Sequence, residues 1–355
     1  MFVIFRSTHI KRLATLVTML LMTVAPKAQT DETANAAEKN SSNFITKTID
    51  FIAWVLSDTD TAFVAPNIYN FAFYPEYSHS YEHYRFATGD GKQSISIAPQ
   101  HRDKLGLNFG WRWLVLGYSI DLQDSRPAMD FNTSVYSARF GLDLFYRENS
   151  GNYSIRKLSG FNNNGKELTN FNKEFEGLST KQIGFNVCYA FNKRFTHQAA
   201  YAQSSNQLIS AGSFILGMNY NYQQFTFDHK EFDTKIQQLL SPRLKFEDIS
   251  YHDFSLNFGY TYNWVFAKNF LANISFTPAV GYKHSSLKLP DSNNLLSSIN
   301  FDFITRAAVV YNTGKCFAGA SLVAHTYTYK KPQISIINGF GVIEVYAGFN
   351  FWRRK

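Results

Sequence analysis

The chain has 355 residues, a formal net charge of +8, 17% charged residues and 17% aromatics, with Phe 34 and Tyr 21. Its mean hydropathy is −0.24, and past the N-terminal segment no apolar run approaches the roughly 20 residues a spanning helix needs, which excludes a helical membrane bundle. Four of the basic residues (Arg6, Lys11, Arg12, Lys27) fall in the first 28 with no acid among them, so 8 − 4 leaves +4, too little for a nucleic-acid footprint.

The basic start, the apolar stretch from Leu13 to Ala25 and the small residue Ala28 before Gln29 have the layout of a secretory signal peptide, with cleavage expected after Ala28. No cysteine lies near that point, which excludes a lipoprotein anchor. Residues 29–67 read as a periplasmic leader, polar as far as residue 43. Its second part is a short amphipathic helix, with Ile45, Ile49, Ile52 and Leu56 at helical spacing, suited to packing against a barrel rim.

Residues 68–355 are dominated by a period of two. Leu105, Leu107, Phe109 and Trp111 alternate with polar or small residues, and so do Phe254, Leu256, Phe258, Tyr260, Tyr262 and Trp264. Strand side chains point alternately to opposite faces, so each segment has one apolar and one polar face. This predicts an all-β transmembrane antiparallel barrel. A first strand within 68–87 and others at 104–112, 113–122, 134–147, 151–158, 181–191, 210–227, 250–264, 269–284, 297–311, 316–330 and 339–352 make about twelve. Counting back from the last strand puts inner turns near Trp113, Asn149, Ala267 and Thr313 and leaves 192–209 as a long periplasmic excursion. The alternation of Ile343, Val345, Ala347, Phe349 and Phe351 near the C-terminus is the aromatic-rich last strand that barrel-assembly machinery recognises, although Arg353, Arg354 and Lys355 trail it.

A charge facing lipid near the midplane costs on the order of 2 to 4 kcal/mol, so the uncharged rows face outward. In 134–147 the outward row is Tyr136, Ala138, Phe140, Leu142, Leu144 and Tyr146. The opposite residues, Asn108, Arg112, Arg139, Asp143, Asp302 and Arg306, are expected to line the lumen. Both charge signs occur there, so the expected interior is of mixed polarity or partly filled by its own side chains. Trp111, Trp113, Trp264 and Trp352 suit interfacial girdles. Cys188 and Cys316 could pair in an oxidising compartment, but each sits inside a strand-like segment and reads as a small, buried free thiol.

Five stretches resemble a Bacteroidetes family known only as a domain of unknown function, number 4421. They are DTDTAFVAPNIYNFAF (58–73), SYEHYRF (80–86), SISIAPQHRDKLGLNFGWRWLVLGYSIDL (94–122), SAGSFILGMNY (210–220) and FTPAVGY (276–282). The resemblance implies an outer-membrane β-barrel in a Gram-negative envelope and brings no activity or site residue.

Two motifs carry candidate chemistry. His79, Glu82 and His83 match the His-x-x-Glu-His pattern of inverted zinc peptidases, which needs a helix to bring both imidazoles to one face; a strand sets Glu82 opposite the histidines. His284 and Ser286 continue an outward row at its outer end, where a barrel lipid hydrolase would need a histidine-activated serine. No phosphate loop, Cys-x-x-Cys pair or calcium loop is present, and no cofactor or metal is expected. The expected protein is a non-enzymatic, porin-like outer-membrane barrel that passes or binds a small solute or lipid, or is structural. Its partners are outer-membrane lipid and the assembly machinery, not nucleic acid. The alternatives are an outer-leaflet lipid hydrolase using Ser286 and His284, and a secreted soluble β-protein.

Overall fold

The structure is a computed structural model and describes residues 58–99, 102–111, 114–122, 129–163, 166–167, 173–289 and 292–353. The expected signal peptide and its Ala28 cleavage site, the amphipathic helix and Arg112 fall outside the described residues.

The first half contributes β1 (Val64–Pro66), β2 (Tyr69–Thr88), β3 (Ser94–Pro99), β4 (Arg102–Trp111), β5 (Leu114–Asp121), β6 (Met129–Tyr136), β7 (Phe140–Ser150), β8 (Tyr153–Ser159), β9 (Asn162–Asn163), β10 (Lys166–Glu167), β11 (Lys173–Phe175) and β12 (Leu178–Ala190). Helix α1 (His197–Tyr201) and β13 (Ser205–Gln207) precede β14 (Ala211–Phe227), and α2 (Thr234–Leu239) precedes β15 (Asp248–Ala267). The chain ends with β16 (Phe270–Leu289), β17 (Ser292–Asn312), β18 (Cys316–Lys330) and β19 (Ile334–Arg353). Each of β12 to β19, apart from β13, pairs antiparallel with its successor in the sheet, and β19 returns to pair with β2. The other edge of β2 is divided: Phe71–Ser80 pair with β4, and Tyr84–Ala87 with β3. Between β5 and β6 no pairing occurs among the described residues.

The polar faces meet across strands that are not neighbours, so the sheet curls. Arg306 on β17 reaches Asp143 on β7, with four strands between them in the sheet. Asn338 on β19 donates to Gln223 on β14 at 2.9 Å, and the Tyr251 and Tyr329 rings of β15 and β18 stack at 5.4 Å. The burial pattern is inverted relative to a protein in water. Leu256 is 66% exposed and Phe301 62%, while their neighbours Asn257 and Asp302 are each 1% exposed. Leaving such a side chain in water forfeits about 1.5 to 3 kcal/mol apiece, and this apolar face runs over most of the sheet. The ten residue steps from Phe254 to Trp264, rising about 3.3 Å each and tilted about 40°, make it roughly 25 Å tall. Trp264 and Trp352 are exposed near one end of it.

The two strands expected at 134–147 and 151–158 take a different form. Residues 129–150 form a hairpin of β6 and β7 that reverses at Ser137–Arg139, where the Ser137 amide donates to the Phe140 carbonyl at 2.8 Å. The reversal sets Tyr136 against Gly141 and resets the parity, so Tyr136 and Ala138 are buried inside rather than outward. A Cβ at Gly141 would lie 3.1 Å from the Tyr136 ring, which is why that position holds no side chain. The chain reversal at Gly151 and Asn152, both with φ of 63°, lies at the opposite end from the Ser137 turn. From there β8 leaves the wall to pair with β3 and β11. Cys188 is buried and Cys316 is exposed, and neither is paired; Cys316 opens β18 at the rim, where nothing covers it as expected of a buried thiol.

Candidate functional site: a chamber between two closed ends

Both ends of the curled sheet are filled by the chain itself. At the loop end, inward residues from distant strands (Phe86 of β2, Phe225 of β14, Tyr329 of β18, Ile336 of β19) join one apolar core with Phe232, Ile236, Leu244 and Phe246 of the connection after β14. Phe86 lies 5.4 Å from the rings of both Phe225 and Phe246. The Gln93 amide locks the connection down, donating to the Leu239 carbonyl at 2.9 Å and accepting from the Ser241 amide at 2.7 Å.

Beneath this cap the interior is polar and packed. Lys283 Nζ lies 3.1 Å from a carboxylate oxygen of Asp253 and 3.1 Å from one of Asp302, with all three side chains at most 1% exposed. Two tyrosine rings, Tyr251 and Tyr327, flank the ammonium at 5.3 and 5.4 Å. Gly281 leaves room for this group, since a Cβ there would stand 2.5 Å from Asp253 Oδ1.

At the end where β2 starts and β19 stops, the long connection 191–210 turns inward. Thr196 caps α1, its hydroxyl accepting from the Gln198 amide at 3.2 Å. The segment is then tied around the wall: the His197 amide to the Ala138 carbonyl, Asn263 Nδ2 to the Thr196 carbonyl at 2.9 Å, Tyr201 to Asn273, and Gln203 Nε2 to the Tyr346 hydroxyl at 2.6 Å. Strand β13 pairs with β1 beside it. Burial among Phe195, Tyr136 and Tyr201 rings, with the Arg306 guanidinium nearby, pushes the His197 imidazole down to about 3, so it is neutral at ordinary pH.

Between these closures lies a chamber of about 390 Å³. Tyr201 and Gln203 reach it from the connection, and its walls carry Glu76, Asn108, Asp143, Arg147, His325 and Glu344. Asp143 accepts from Ser134 and Tyr136 at 2.7 Å each and pairs with Arg306, which also donates to Asn186 at 3.0 Å. Arg147 faces Glu82 at 3.6 Å and covers the Phe340 ring at 4.1 Å. Glu76 accepts from Asn108 at 3.2 Å and Glu344 from Ser321 at 2.8 Å; among the described residues neither has a cationic partner. The chamber also touches Tyr118 of β5 and Phe131 of β6, on the two strands that do not pair.

Of the residues expected inside, Asn108 and Asp143 line the chamber, Arg306 backs it through Asp143, and Asp302 belongs to the lysine triad above it. Arg139 sits in the Ser137–Arg139 turn, 3.6 Å from Asp58 and over the Tyr189 ring. His284 faces outward beside Ser286, opposite His252, but no bond joins it to Ser286 among the described contacts, and Ser285 next to it bonds Tyr329 at 2.9 Å. In β2, His79 faces out to Asp103 at 2.7 Å while Glu82 faces in and accepts from Tyr84 at 2.9 Å, so the strand separates the zinc-like motif. Among the described residues no group of three or more His, Cys, Asp or Glu gathers as for a metal. Glu76, Glu344, Asp253 and Lys283 were not singled out from sequence, although parity from the outward residues Tyr77, Ile343 and Tyr282 would have found three of them.

Among solved structures, the outer-membrane protease OmpT of Escherichia coli is similar at 9% identity and a TM-score of 0.38, over 79% of this chain and 97% of that one. OmpT of Vibrio cholerae aligns at 9% identity and a TM-score of 0.26, over 78% and 97%. The P. putida toluene transporter TodX aligns at 9% identity and a TM-score of 0.20, over 80% and 91%. No match was found among curated proteins. The family profile described as Domain of unknown function (DUF4421) matches residues 58–351, and the chain belongs to that family.

Proposed function

We propose that this protein is a non-enzymatic outer-membrane β-barrel that holds a small solute or lipid group inside a closed interior rather than conducting ions through an open pore. The carrying observation is the chamber of about 390 Å³ with the aromatic cap on one side and the α1 connection on the other. A site of this volume suits a small ligand. The apolar outer face supports a bilayer setting over a secreted soluble protein, because it would be untenable in water. An unpaired strand edge in hydrocarbon costs several kcal/mol per orphaned group, which favours pairing of β5 with β6. That pairing completes a ring of twelve: β2, β4 to β7, β12 and β14 to β19. Lipid and the barrel-assembly machinery are the partners this reading requires.

The test is outer-membrane fractionation with a boiled-versus-unboiled gel shift, followed by native mass spectrometry of the detergent-released barrel. A heat-modifiable outer-membrane band that carries extra small-molecule mass is expected. Extraction without detergent would overturn the barrel, and a bare-chain mass from every preparation would overturn the holding role. The lipid hydrolase alternative stands on the outward placement of His284 and Ser286. It requires lipid-hydrolysing activity that Ser286→Ala abolishes with the gel shift intact.

A further inference from the structure

The charges around the chamber cancel except at one wall. Asp143 is matched by Arg306 and Arg147 by Glu82, leaving Glu76 and Glu344 as two carboxylates whose described partners are only Asn108 and Ser321. Glu76 is opposite Tyr346 in the β2 to β19 register and Glu344 lies two residues along on the same inward face, so the two acids are diagonal neighbours. Diagonal cross-strand neighbours are within about 7 to 8 Å, and like charges so placed repel.

Beside the acids that wall carries two tyrosine rings and a glutamine. The Tyr74 and Tyr346 rings stand 6.0 Å apart beside the acids. Gln203, 5% exposed, spends its Nε2 hydrogens on the Tyr346 hydroxyl and the Ala200 carbonyl, which fixes the amide orientation; its Oε1 is buried without a donor. An ammonium group offers three donors and no acceptor, and its charge is attracted both by carboxylates and by aromatic faces. The chamber is far larger than a bare metal ion, which leaves space for a carbon frame.

We infer that this wall is a binding site for a small organic ammonium compound, held by Glu76, Glu344 and Gln203 Oε1 against Tyr74 and Tyr346. The inference rests on the closed, ligand-holding reading and names the ligand chemistry. The ammonium could belong to a soluble amine or to an aminophospholipid headgroup.

Calorimetric titration of the full chain decides it. Putrescine is titrated into the detergent-solubilised barrel, 1,4-butanediol and calcium chloride serve as controls, and nanodiscs of phosphatidylethanolamine or phosphatidylcholine compete for the site. Saturable binding of putrescine, weakened at least tenfold in Glu76→Gln and in Glu344→Gln and also weakened in Gln203→Leu, is the expected result, with the heat-modifiable band confirming that each variant folds. Competition by phosphatidylethanolamine alone assigns the lipid source, and equal competition by both or neither assigns the soluble one. Binding of calcium without putrescine, binding that survives both carboxylate substitutions, or no binding at all overturns the inference. A silent barrel that ignores amines sinks only this site, whereas a conducting barrel sinks the closed reading whatever it binds.

Discussion

The two halves of the interior solve the same problem in opposite ways. Near the loop end, two buried carboxylates, Asp253 and Asp302, share the chain's own Lys283 between them, under an aromatic lid. Near the end where the termini of the sheet lie, Glu76 and Glu344 face a chamber and, among the described residues, pair with no cation. One half is built for rigidity and the other leaves both space and charge for something else. The lesson is that a barrel interior rich in polar residues need not be a pore, because polar side chains can be spent on one another.

The largest effect expected from breaking this contrast is at Lys283. Lys283→Met leaves two carboxylates facing each other without a counter-charge and should cost about 3 to 5 kcal/mol. Urea titration of the folded gel band would show it, and Asp253→Asn with Asp302→Asn in the same chain should restore much of the loss. If Lys283→Met alone unfolds at the wild-type midpoint, the triad does not hold the upper half.

Phe225→Ala, at the centre of the cap between Tyr84 and Phe86, should cost about 3 kcal/mol in the same assay. It should also raise protease cutting in 228–247, since that connection rests on the same core. Unchanged cutting would mean the connection is held by something other than the aromatic cluster.

Acid should act on the other end. His197 is held at about 3 when folded, below the ordinary histidine value near 6.5, so the unfolded chain takes the proton first. The stabilisation by its neutral ring is therefore complete above about pH 6.5 and is lost as pH falls from there towards 3, by up to about 3 kcal/mol at pH 4. His197→Phe should flatten that part of the stability profile relative to wild type, and parallel profiles would show that the ring does not titrate as described.

The smallest stability effect belongs to the chamber. Glu344→Gln should change the unfolding free energy by less than about 1 kcal/mol, or raise it, because it removes one of two like charges while keeping the Ser321 bond. A large loss would mean that Glu344 is structural, as the triad acids are.

Much of the wall was legible in the sequence, because period-two alternation follows directly from strand geometry. The row from Phe254 to Trp264 faces outward along its length. Legibility failed where a tight turn broke the period. A continuous row from Tyr136 to Tyr146 reads as one strand, yet the Ser137–Arg139 turn divides it and sends Tyr136 inward to bond Asp143. Residues 151–158 alternate as well as any wall strand, and only the loop-end pairing of β8 with β3 removes them from it. The chamber was hidden for another reason. The inward turn of the 191–210 connection depends on contacts such as Asn263 to Thr196 and Gln203 to Tyr346, more than 60 residues apart in sequence, and no local pattern encodes these.

The central claim, that the interior is closed at both ends, is tested most directly by single-channel recording of the refolded mature chain in planar bilayers under varied salt and voltage. The account expects a heat-modifiable barrel that stays electrically silent. Discrete, reproducible openings from the wild-type chain would contradict it and would show that the cap or the α1 connection moves aside to leave a continuous path.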